Sequence, residues 1–260
     1  MTGFSERFGD VLGQAVENKL ENEVSSSILP AHVACIMDGN RRHADSKLIP
    51  TALGHREGKE KLEDVMDWIL DLNIKYLTVY ALSTENLQTR SNEELQDLFN
   101  LYTEGLIDIA EDERIHRREV KVRVIGRRDL LPQKLVDAIE NAESKTKNYE
   151  NHTFTVCLAY GSREEILDAI KEIAADYAGG SLSLDDITVD EVSKRLYTKD
   201  LPDPDMIIRT SGEERISNFL LWQSAYSELF FIDTYWPSFS KREFLKSIFA
   251  YQRRKRRYGS

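Results

Sequence analysis

The feature that most constrains the fold is a series of short, nearly continuous apolar runs, separated by longer segments with helical periodicity. The runs are rich in β-branched residues and lie at 32–37, 76–82, 120–125, 154–159, 206–208 and 229–232. Strands that are apolar on both faces are typical of parallel sheets covered by helices. Helix-period segments include 58–72, 92–112, 132–147 and 163–177. The alternation predicts an α/β fold with a central, mostly parallel sheet of about six strands flanked by helices.

The length and the first 29 residues set the expected domain organisation. A chain of 260 residues, 41% of them hydrophobic, is large enough to bury the core of a single domain. We expect one catalytic domain over 30–260 and an N-terminal helical appendage over 1–29. The apolar residues that favour an amphipathic helix in this appendage are Phe4, Phe8, Val11, Leu12, Val16 and Leu20.

Charge and hydropathy narrow the expected location and partners. Residues 1–15 mix charged and apolar side chains, and no run approaches the ~20 apolar residues of a membrane-spanning helix. We therefore expect a soluble, cytoplasmic protein, with contact at a membrane surface still open. The formal net charge of −10 argues against a nucleic-acid-binding protein. Cys35 and Cys157 lie in apolar runs, where reduced cysteines pack as small buried hydrophobes.

Polar residues follow three of the predicted strands, where ligands bind in open parallel sheets. The groups are Asp38, Gly39, Asn40, Arg41 and Arg42 after the first strand, Ser83 to Asn86 with Arg90 after the second, and Arg209 to Glu213 with Arg215 and Ser217 after the fifth. Arginine, hydroxyl and glycine at a strand end suit a diphosphate, and Asp38 is a hard oxygen ligand. Each group alone is equally typical of an ordinary capped loop. Together they favour a diphosphate site.

Other phosphate-binding and prenyl-transfer motifs fit poorly. The segment 54–59 is one residue short of a P-loop and lacks the hydroxyl after its lysine, and no G-x-G-x-x-G follows the first strand. Asp185, Asp186 and Asp190 are misspaced for the D-D-x-x-D of all-helical prenyl synthases. We interpret these aspartates as residues at helix starts.

The ordered motifs resemble those of the cis-prenyltransferase family. The segments that carry the resemblance are HVACIMDGNRR at 32–42, Gly54-His55, Ser83-Thr84-Glu85-Asn86 and IIRTSGEERISNFLLWQSAYSELFF at 207–231. This family extends an allylic prenyl diphosphate with isopentenyl diphosphate to make a Z-polyprenyl diphosphate, and the last segment is the most specific. The match runs from about residue 32 to the C-terminus.

The resemblance also implies roles for individual residues. Asp38 would bind Mg²⁺ with the donor diphosphate, Glu228 would be the second carboxylate at the metal, and Ser83 and Asn86 would orient the diphosphate and help to move the proton. The remaining substrate-binding residues would be Gly39, Asn40, Arg41, Arg42, His55 and Arg90 on the donor side, and Arg209, Arg215 and Ser217 around the isopentenyl diphosphate.

Several positions depart from the family pattern on the donor side. Leu87 replaces an aromatic residue, His43 a tryptophan and Thr51 a basic residue. Arg90 and Glu94 match the family's arginine and glutamate only with a one-residue insertion. Loss of a cation and of aromatic bulk should weaken headgroup binding, and added apolar contact from a longer chain would offset it. We therefore expect a preference for an allylic donor longer than C10.

Three questions remain open from the sequence. The residues Phe99, Leu101, Leu106 and Ile107 on the helix after Glu94 fit a tunnel for the growing chain and a packed helix equally well.

The C-terminal segment allows more than one interpretation. The basic run 253–257 fits a solvated helix end or contact with anionic lipid. The last part of the segment, Arg257, Tyr258 and Gly259, resembles the ending with which family members reach a partner's site in a homodimer. The alternative functions are a single prenyl transfer to an alcohol acceptor and a non-catalytic subunit of a heteromer.

Overall fold

The central sheet has the predicted parallel architecture. A computed structural model describes residues 17–254, and within them six strands form one sheet in the order β3-β4-β2-β1-β5-β6. Every pairing between neighbouring strands is parallel. The strands are β1 (His32–Ile36), β2 (Tyr76–Tyr80), β3 (Val120–Ile125), β4 (His152–Cys157), β5 (Met206–Arg209) and β6 (Glu228–Phe231).

Helices cover both faces of this sheet and occupy the predicted segments. Residues 17–25 are helical and form α1. The others are α2 (Asn40–Lys47), α3 (Thr51–Asp71), α4 (Thr84–Thr89), α5 (Asn92–Glu111), α6 (Glu113–Arg117), α7 (Gln133–Thr146), α8 (Ser162–Ala178), α9 (Val189–Ser193) and α10 (Lys241–Arg253). The main difference is at α3, which begins seven residues before the predicted position 58. Pro50 precedes its first residue, and a proline there needs no helical N–H partner.

Side-chain caps fix several helix starts. The Ser91 hydroxyl accepts a hydrogen bond from the Glu94 amide at the start of α5. Ser240 and Glu243 form a reciprocal capping box at the start of α10. Ser183 and Asp186 form another capping box at a 3₁₀ turn, and Asp190 lies in the first turn of α9. The interpretation of these aspartates as helix-start residues is thereby confirmed.

The core lies between the sheet and its helices. Phe154, Trp236 and Phe244 are among the largest fully buried side chains. Both cysteines are free and buried, as expected, and burial raises the pKa of Cys35 to about 12. Neither thiol is therefore ionised near neutral pH.

The described part of the N-terminal appendage packs against α10. Val24 is buried, its carbonyl accepts a hydrogen bond from the Gln252 side-chain nitrogen, and Glu21 forms an ion pair with Lys241. The predicted apolar positions from Phe4 to Val16 lie outside the described residues. Between residues 17 and 254, none of the helices combines the length and apolar character required to cross a bilayer.

The strand order places a ligand crevice beside β1. This strand pairs with β2 on one side and with β5 on the other, and the chain leaves these strands toward opposite edges of the sheet. Ligands bind in such folds beyond the carboxyl ends of strands at a point where the order reverses. Asp38, Ser83 and Arg209 lie there, at the ends of β1, β2 and β5.

Candidate active site

A polar cavity opens at the carboxyl ends of β1, β2 and β5. Its volume is about 640 Å³, within the usual range for small-molecule sites. Residues from all three predicted groups line it together with His55, namely Asp38, Asn40, Ser83, Asn86, Arg90, Arg209, Arg215 and Ser217. The structure therefore brings together side chains that lie up to 179 positions apart in the sequence.

Asp38 is held by two arginines at the centre of this cavity. One carboxylate oxygen lies 2.7 Å from Arg209 Nη2 and the other lies 3.1 Å from Arg42 Nη2. The Thr210 hydroxyl donates to the Asp38 carbonyl over 2.7 Å, which fixes the backbone at the strand end. Burial alone would raise the pKa of Asp38, but the hydrogen bond and charge of Arg209, with Arg42, hold it below its ordinary value. Asp38 is therefore ionised at neutral pH.

Arg209 connects Asp38 to the loop after β5. Only 5% of its side chain is exposed, and its Nη1 donates to the Ser217 hydroxyl over 2.8 Å and to the Arg215 carbonyl. Its Nε is buried and makes no hydrogen bond among the described residues. Ser211 and Ser217 have positive φ values of 81° and 48°. The loop is thus folded tightly around one guanidinium that retains an unused donor.

Gly39 and Asn40 form the start of α2 at the edge of the cavity. Gly39 has φ 107°, and a Cβ there would lie 2.8 Å from a ring carbon of Tyr235, so a side chain is excluded on both grounds. The Asn40 side-chain oxygen is buried and has no hydrogen-bond partner among residues 17–254. It packs against Gly58, where a Cβ would lie 2.4 Å from that oxygen. The side-chain oxygen of Asn40 can therefore still accept a hydrogen bond from a ligand.

His55, Arg90 and Glu94 form one cluster beside the polar cavity. His55 Nε2 lies 3.2 Å from a Glu94 carboxylate oxygen, which also bonds Arg90 Nη1 and lies 3.4 Å from Arg41 Nε. Desolvation, supported by the charge of Arg90 and opposed by Glu94, lowers the pKa of His55. A neutral His55 then donates to Glu94. The one-residue insertion inferred from the sequence is compatible with this arrangement, because Glu94 bonds Arg90, which lines the polar cavity.

Ser83 and Asn86 lie on the third side, at the start of α4. The Ser83 hydroxyl accepts a hydrogen bond from the Asn86 amide over 3.1 Å and caps the helix. Ser83 also forms an isolated parallel bridge with Tyr160, which ties the loop to β4. Both side chains line the polar cavity. The serine thus combines a structural cap with a hydroxyl that lines the cavity beside the Glu85 carboxylate.

An apolar cavity of about 360 Å³ adjoins the polar one, between the sheet, α3 and α5. Five residues line both cavities, namely Met37, Asn40, His55, Ala81 and Tyr102. Leu101 and Leu106 line the apolar cavity, whereas Phe99 packs on the core and Ile107 is 46% exposed. Leu101 and Leu106 therefore fit the prediction of a tunnel, whereas Phe99 and Ile107 do not line the apolar cavity.

Glu228 is not brought to Asp38 within one chain. It is the first residue of β6 and pairs in register with Met206 at the start of β5, and its carboxylate bonds Arg254. Asp38 follows the opposite, carboxyl end of β1, so the two carboxylates are roughly 15 Å apart along the strand direction at ~3.3 Å per residue. Within one chain the geometry therefore does not bring Glu228 to Asp38, and the role of Glu228 as the second carboxylate at the metal stays a prediction.

The side chains around Asp38 suit a metal ion that is held jointly by the protein and a substrate. Within residues 17–254, no group of three or more histidine, cysteine or carboxylate side chains is arranged to hold a metal ion. Mg²⁺ typically takes one or two carboxylates and completes its shell with phosphate oxygens and water. The ionised Asp38, lying among arginines that suit a diphosphate, fits this mode of binding.

Arg163 and Asn218 also line the polar cavity but were not predicted from the sequence, and Glu85 lines it although no role of its own was assigned to it from the sequence. Arg163 is exposed, and none of the described carboxylates lies within ion-pair distance of its guanidinium. It follows β4 by six residues, so the rule applied to the other strand ends would have found it. Glu85 and Asn218 belong to the motifs at 83–86 and 207–231, but nothing in the sequence indicated that the two side chains contact each other.

The three positions that depart from the family pattern, His43, Thr51 and Leu87, lie in different environments. His43 is buried and bonds Glu57 over 2.7 Å and Ser238 over 3.1 Å, so it joins α2 to its neighbours. Thr51 is the first residue of α3, and Leu87 packs against the core. His43 thus has a structural role.

Comparisons with known proteins give one consistent result. Residues 36–259 match a family model described as putative undecaprenyl diphosphate synthase. The chain is 49% identical over 257 residues to a tritrans,polycis-undecaprenyl-diphosphate synthase (geranylgeranyl-diphosphate specific) of Thermoplasma volcanium, covering 99% of both chains. It is 53% identical over 243 residues to the enzyme of the same name from Methanopyrus kandleri, covering 94% of this chain and 89% of the relative.

Solved structures give the same fold. The crystal structure of lavandulyl diphosphate synthase from Lavandula x intermedia in complex with dimethylallyl diphosphate has a TM-score of 0.82 and 33% identity, covering 90% of this chain and 98% of that chain. A probable undecaprenyl diphosphate synthase from Campylobacter jejuni has a TM-score of 0.72 and 31% identity, with coverage of 89% and 99%.

Proposed function

The chain belongs to the undecaprenyl diphosphate synthase family of cis-prenyltransferases, and from this premise we propose that it extends geranylgeranyl diphosphate with isopentenyl diphosphate in a Mg²⁺-dependent reaction. As a member of this family it is a prenyl-transferring enzyme that condenses isopentenyl diphosphate with an allylic diphosphate. The identity of the allylic donor, the metal and the residue roles are the proposed parts.

The observation that carries the proposal is the continuity of a polar cavity with an apolar one. The residues that line both, such as Asn40 and Tyr102, lie where a diphosphate would meet its prenyl chain. A prenyl diphosphate has the same division into a charged head and an apolar tail. Burial of the tail contributes ~0.8 kcal/mol per CH₂.

The proposed residue roles come from the family resemblance and are supported by the members of the set that line the polar cavity, namely Asn40, His55, Arg90, Arg209, Arg215 and Ser217. Asn40, Arg42 and His55 bind the donor diphosphate with Gly39, Arg41 and Arg90, while Arg209, Arg215 and Ser217 bind the isopentenyl diphosphate. Asp38 would hold Mg²⁺, which when bound neutralises charge on the leaving diphosphate. The arginines add preorganised donors for that charge.

The reaction breaks the C1–O bond of the donor and forms a carbon–carbon bond from the isopentenyl double bond to C1. The diphosphate leaves with the bonding electron pair, and a proton is then lost from the isopentenyl unit. Ser83 and Asn86 flank the polar cavity on the β2 side. We propose that they orient the leaving group and that the Ser83 hydroxyl takes part in moving this proton.

The choice of donor rests on two arguments. The curated relatives are named geranylgeranyl-diphosphate specific. This agrees with the preference for a donor longer than C10 that was inferred from Leu87, His43 and Thr51. His43 is buried away from solvent, so its contribution to that preference acts through the packing of α2.

Other parts of the proposal rest on sequence. Arg257, Tyr258 and Gly259, proposed to reach the partner site of a homodimer, lie outside the described residues. The cytoplasmic location and a peripheral membrane contact through the basic run 253–257 are proposals of the same kind.

The test is a product analysis with labelled isopentenyl diphosphate and donors of C10, C15 and C20. We expect labelled chains several units longer than the primer, with the highest kcat/KM for the C20 donor. A preference for C10 would overturn the donor assignment. Label that enters no product, with transfer to an alcohol instead, would replace the function with a single-step transfer. A protein active only with a partner chain would indicate a non-catalytic subunit.

A further inference from the structure

Asn218 joins three of the loops that surround the polar cavity. Its side-chain oxygen accepts a hydrogen bond from the Arg163 amide over 2.9 Å. Its side-chain nitrogen donates to Glu85 over 3.0 Å and to Glu164 over 3.2 Å, and its backbone carbonyl accepts from the Ser162 amide over 2.8 Å. One residue on the loop after β5 therefore contacts the segments that follow β2 and β4.

The loop that carries Asn218 has an unusual backbone. Ser217, Asn218 and Leu220 have positive φ values of 48°, 62° and 47°. Asparagine tolerates this region better than most residues because its side chain bonds locally. The Leu221 amide also donates to the Ser162 hydroxyl over 2.9 Å, so this turn is fastened to the start of α8 at several points.

Gly161 provides the space in which these groups meet. A Cβ at Gly161 would lie 2.1 Å from a Glu164 carboxylate oxygen, 2.7 Å from Asn218 Nδ2 and 2.8 Å from the Thr84 hydroxyl. Gly161 has φ −152°, an extended value that alanine adopts readily. The glycine is therefore required by the neighbouring side chains and not by its own backbone.

The contacts of Asn218 extend to the centre of the site. Ser217, the preceding residue, accepts from Arg209, which in turn bonds Asp38. Glu85 lies two residues after Ser83 in the α4 turn, where Ser83 caps Asn86. A displacement of Asn218 would therefore change the separation between the arginine group after β5 and the Ser83 turn.

We infer that Asn218, in the space provided by Gly161, is a positioning residue that sets the distance between the acceptor-diphosphate group (Arg209, Arg215 and Ser217) and the Ser83–Asn86 turn. The inference rests on the proposed function for the identity of the acceptor. It assigns Asn218 no contact with substrate. Its effect reaches the reaction through Ser217 on one side and Glu85 on the other.

Variants of Asn218 and Gly161 distinguish a positioning role of Asn218 from effects of backbone strain and of packing. Asn218→Asp keeps the shape and the acceptor for the Arg163 amide but places a carboxylate against Glu85 and Glu164. Asn218→Gly keeps the backbone conformation and removes the side chain. Gly161→Ala displaces the same groups without altering Asn218. Asn73→Ala is the matched control, since Asn73 is exposed, has φ 54° and lies at the end of α3.

Steady-state kinetics should distinguish the acceptor from the donor. We expect Asn218→Asp, Asn218→Gly and Gly161→Ala each to raise the KM for isopentenyl diphosphate about tenfold and to lower kcat, with the donor KM within about twofold. Asn73→Ala should match the wild type. Because the Asn218 side chain is one of the three groups that a Cβ at Gly161 would meet, the Asn218→Gly and Gly161→Ala effects should multiply only in part in the double variant.

A second measurement is independent of turnover. Binding of isopentenyl diphosphate in the absence of an allylic donor, followed by calorimetry, should weaken in the Asn218→Asp and Gly161→Ala proteins and not in Asn73→Ala. Wild-type acceptor KM and isopentenyl diphosphate affinity in Asn218→Asp would overturn the role, as would equal effects on both substrates. A wild-type protein that binds isopentenyl diphosphate but incorporates none of it would refute the proposed function, and the binding data would still decide the role of Asn218.

Discussion

Replacing Asp38 by asparagine should impair both catalysis and stability, because the carboxylate has two duties in the structure. It is the proposed metal ligand, and it is the counter-charge of Arg209, whose side chain is 5% exposed. Asparagine keeps the size and can still accept one hydrogen bond. It removes the negative charge that lies 2.7 Å from Arg209 Nη2.

The expected loss in the free energy of unfolding depends on how deeply the ion pair between Asp38 and Arg209 is buried. Breaking a fully buried ion pair costs ~3–5 kcal/mol, and an exposed pair contributes ~0–1 kcal/mol. The Asp38 side chain is 28% exposed and Arg42 also lies beside it, so we expect an intermediate loss of about 2 kcal/mol in the free energy of unfolding. Loss of the charge that places the metal should lower kcat/KM by at least ~10³-fold.

Urea unfolding and initial rates measure the two effects separately. Adding Arg209→Met to the Asp38→Asn protein should lower the free energy of unfolding by less than the sum of the two single losses, because the charge that Asp38→Asn leaves unpaired is then gone. It should recover no activity. Turnover of Asp38→Asn within a few-fold of the wild type would refute the reasoning about the site, and additive losses of stability would refute the reasoning about the ion pair.

Three further predictions concern other parts of the molecule. Leu101→Trp should shorten the product chains by filling the apolar cavity, which product sizing by chromatography measures, while Ile107→Trp on the exposed face of the same helix should leave their length unchanged. Burial lowers the pKa of His32 to about 4, so the free energy of unfolding should fall by roughly 3 kcal/mol as the pH decreases from 6.5 to 4, where only the unfolded chain binds the proton. Urea titrations of His32→Gln should show a slope smaller by about one proton in that window. Arg163→Ala should raise the apparent KM for isopentenyl diphosphate several-fold without a loss of stability, and an unchanged KM would remove it from the site.

The sheet was predictable because its strands are buried on both faces. The run 120–125 was predicted with its observed limits, and the others shifted by at most two residues at either end. Such strands need continuous apolar sequence, which leaves a clear signal. The start of α3 was harder to locate, because His55 and Gly58 give its first turns a polar, glycine-containing sequence although both residues are buried.

The strand-end rule located the parts of the site that directly follow a strand. It identified Asp38, Ser83 and Arg209, since the carboxyl ends of parallel strands meet at one edge of the sheet. Glu228 was assigned from the family resemblance and not by this rule, and it begins its strand and so lies at the opposite edge. Asn218 could not be found from sequence, because its importance depends on contacts between loops that are far apart in the chain.

The most direct test of the central claim is the stoichiometry of diphosphate release. With geranylgeranyl diphosphate, isopentenyl diphosphate and Mg²⁺, we expect one diphosphate released for each isopentenyl unit incorporated, and new double bonds of Z geometry by NMR. EDTA should stop both events, added Mg²⁺ should restore them, and Asp38→Asn should abolish them. Release without incorporation, full activity in chelator, or new double bonds of E geometry would contradict the account.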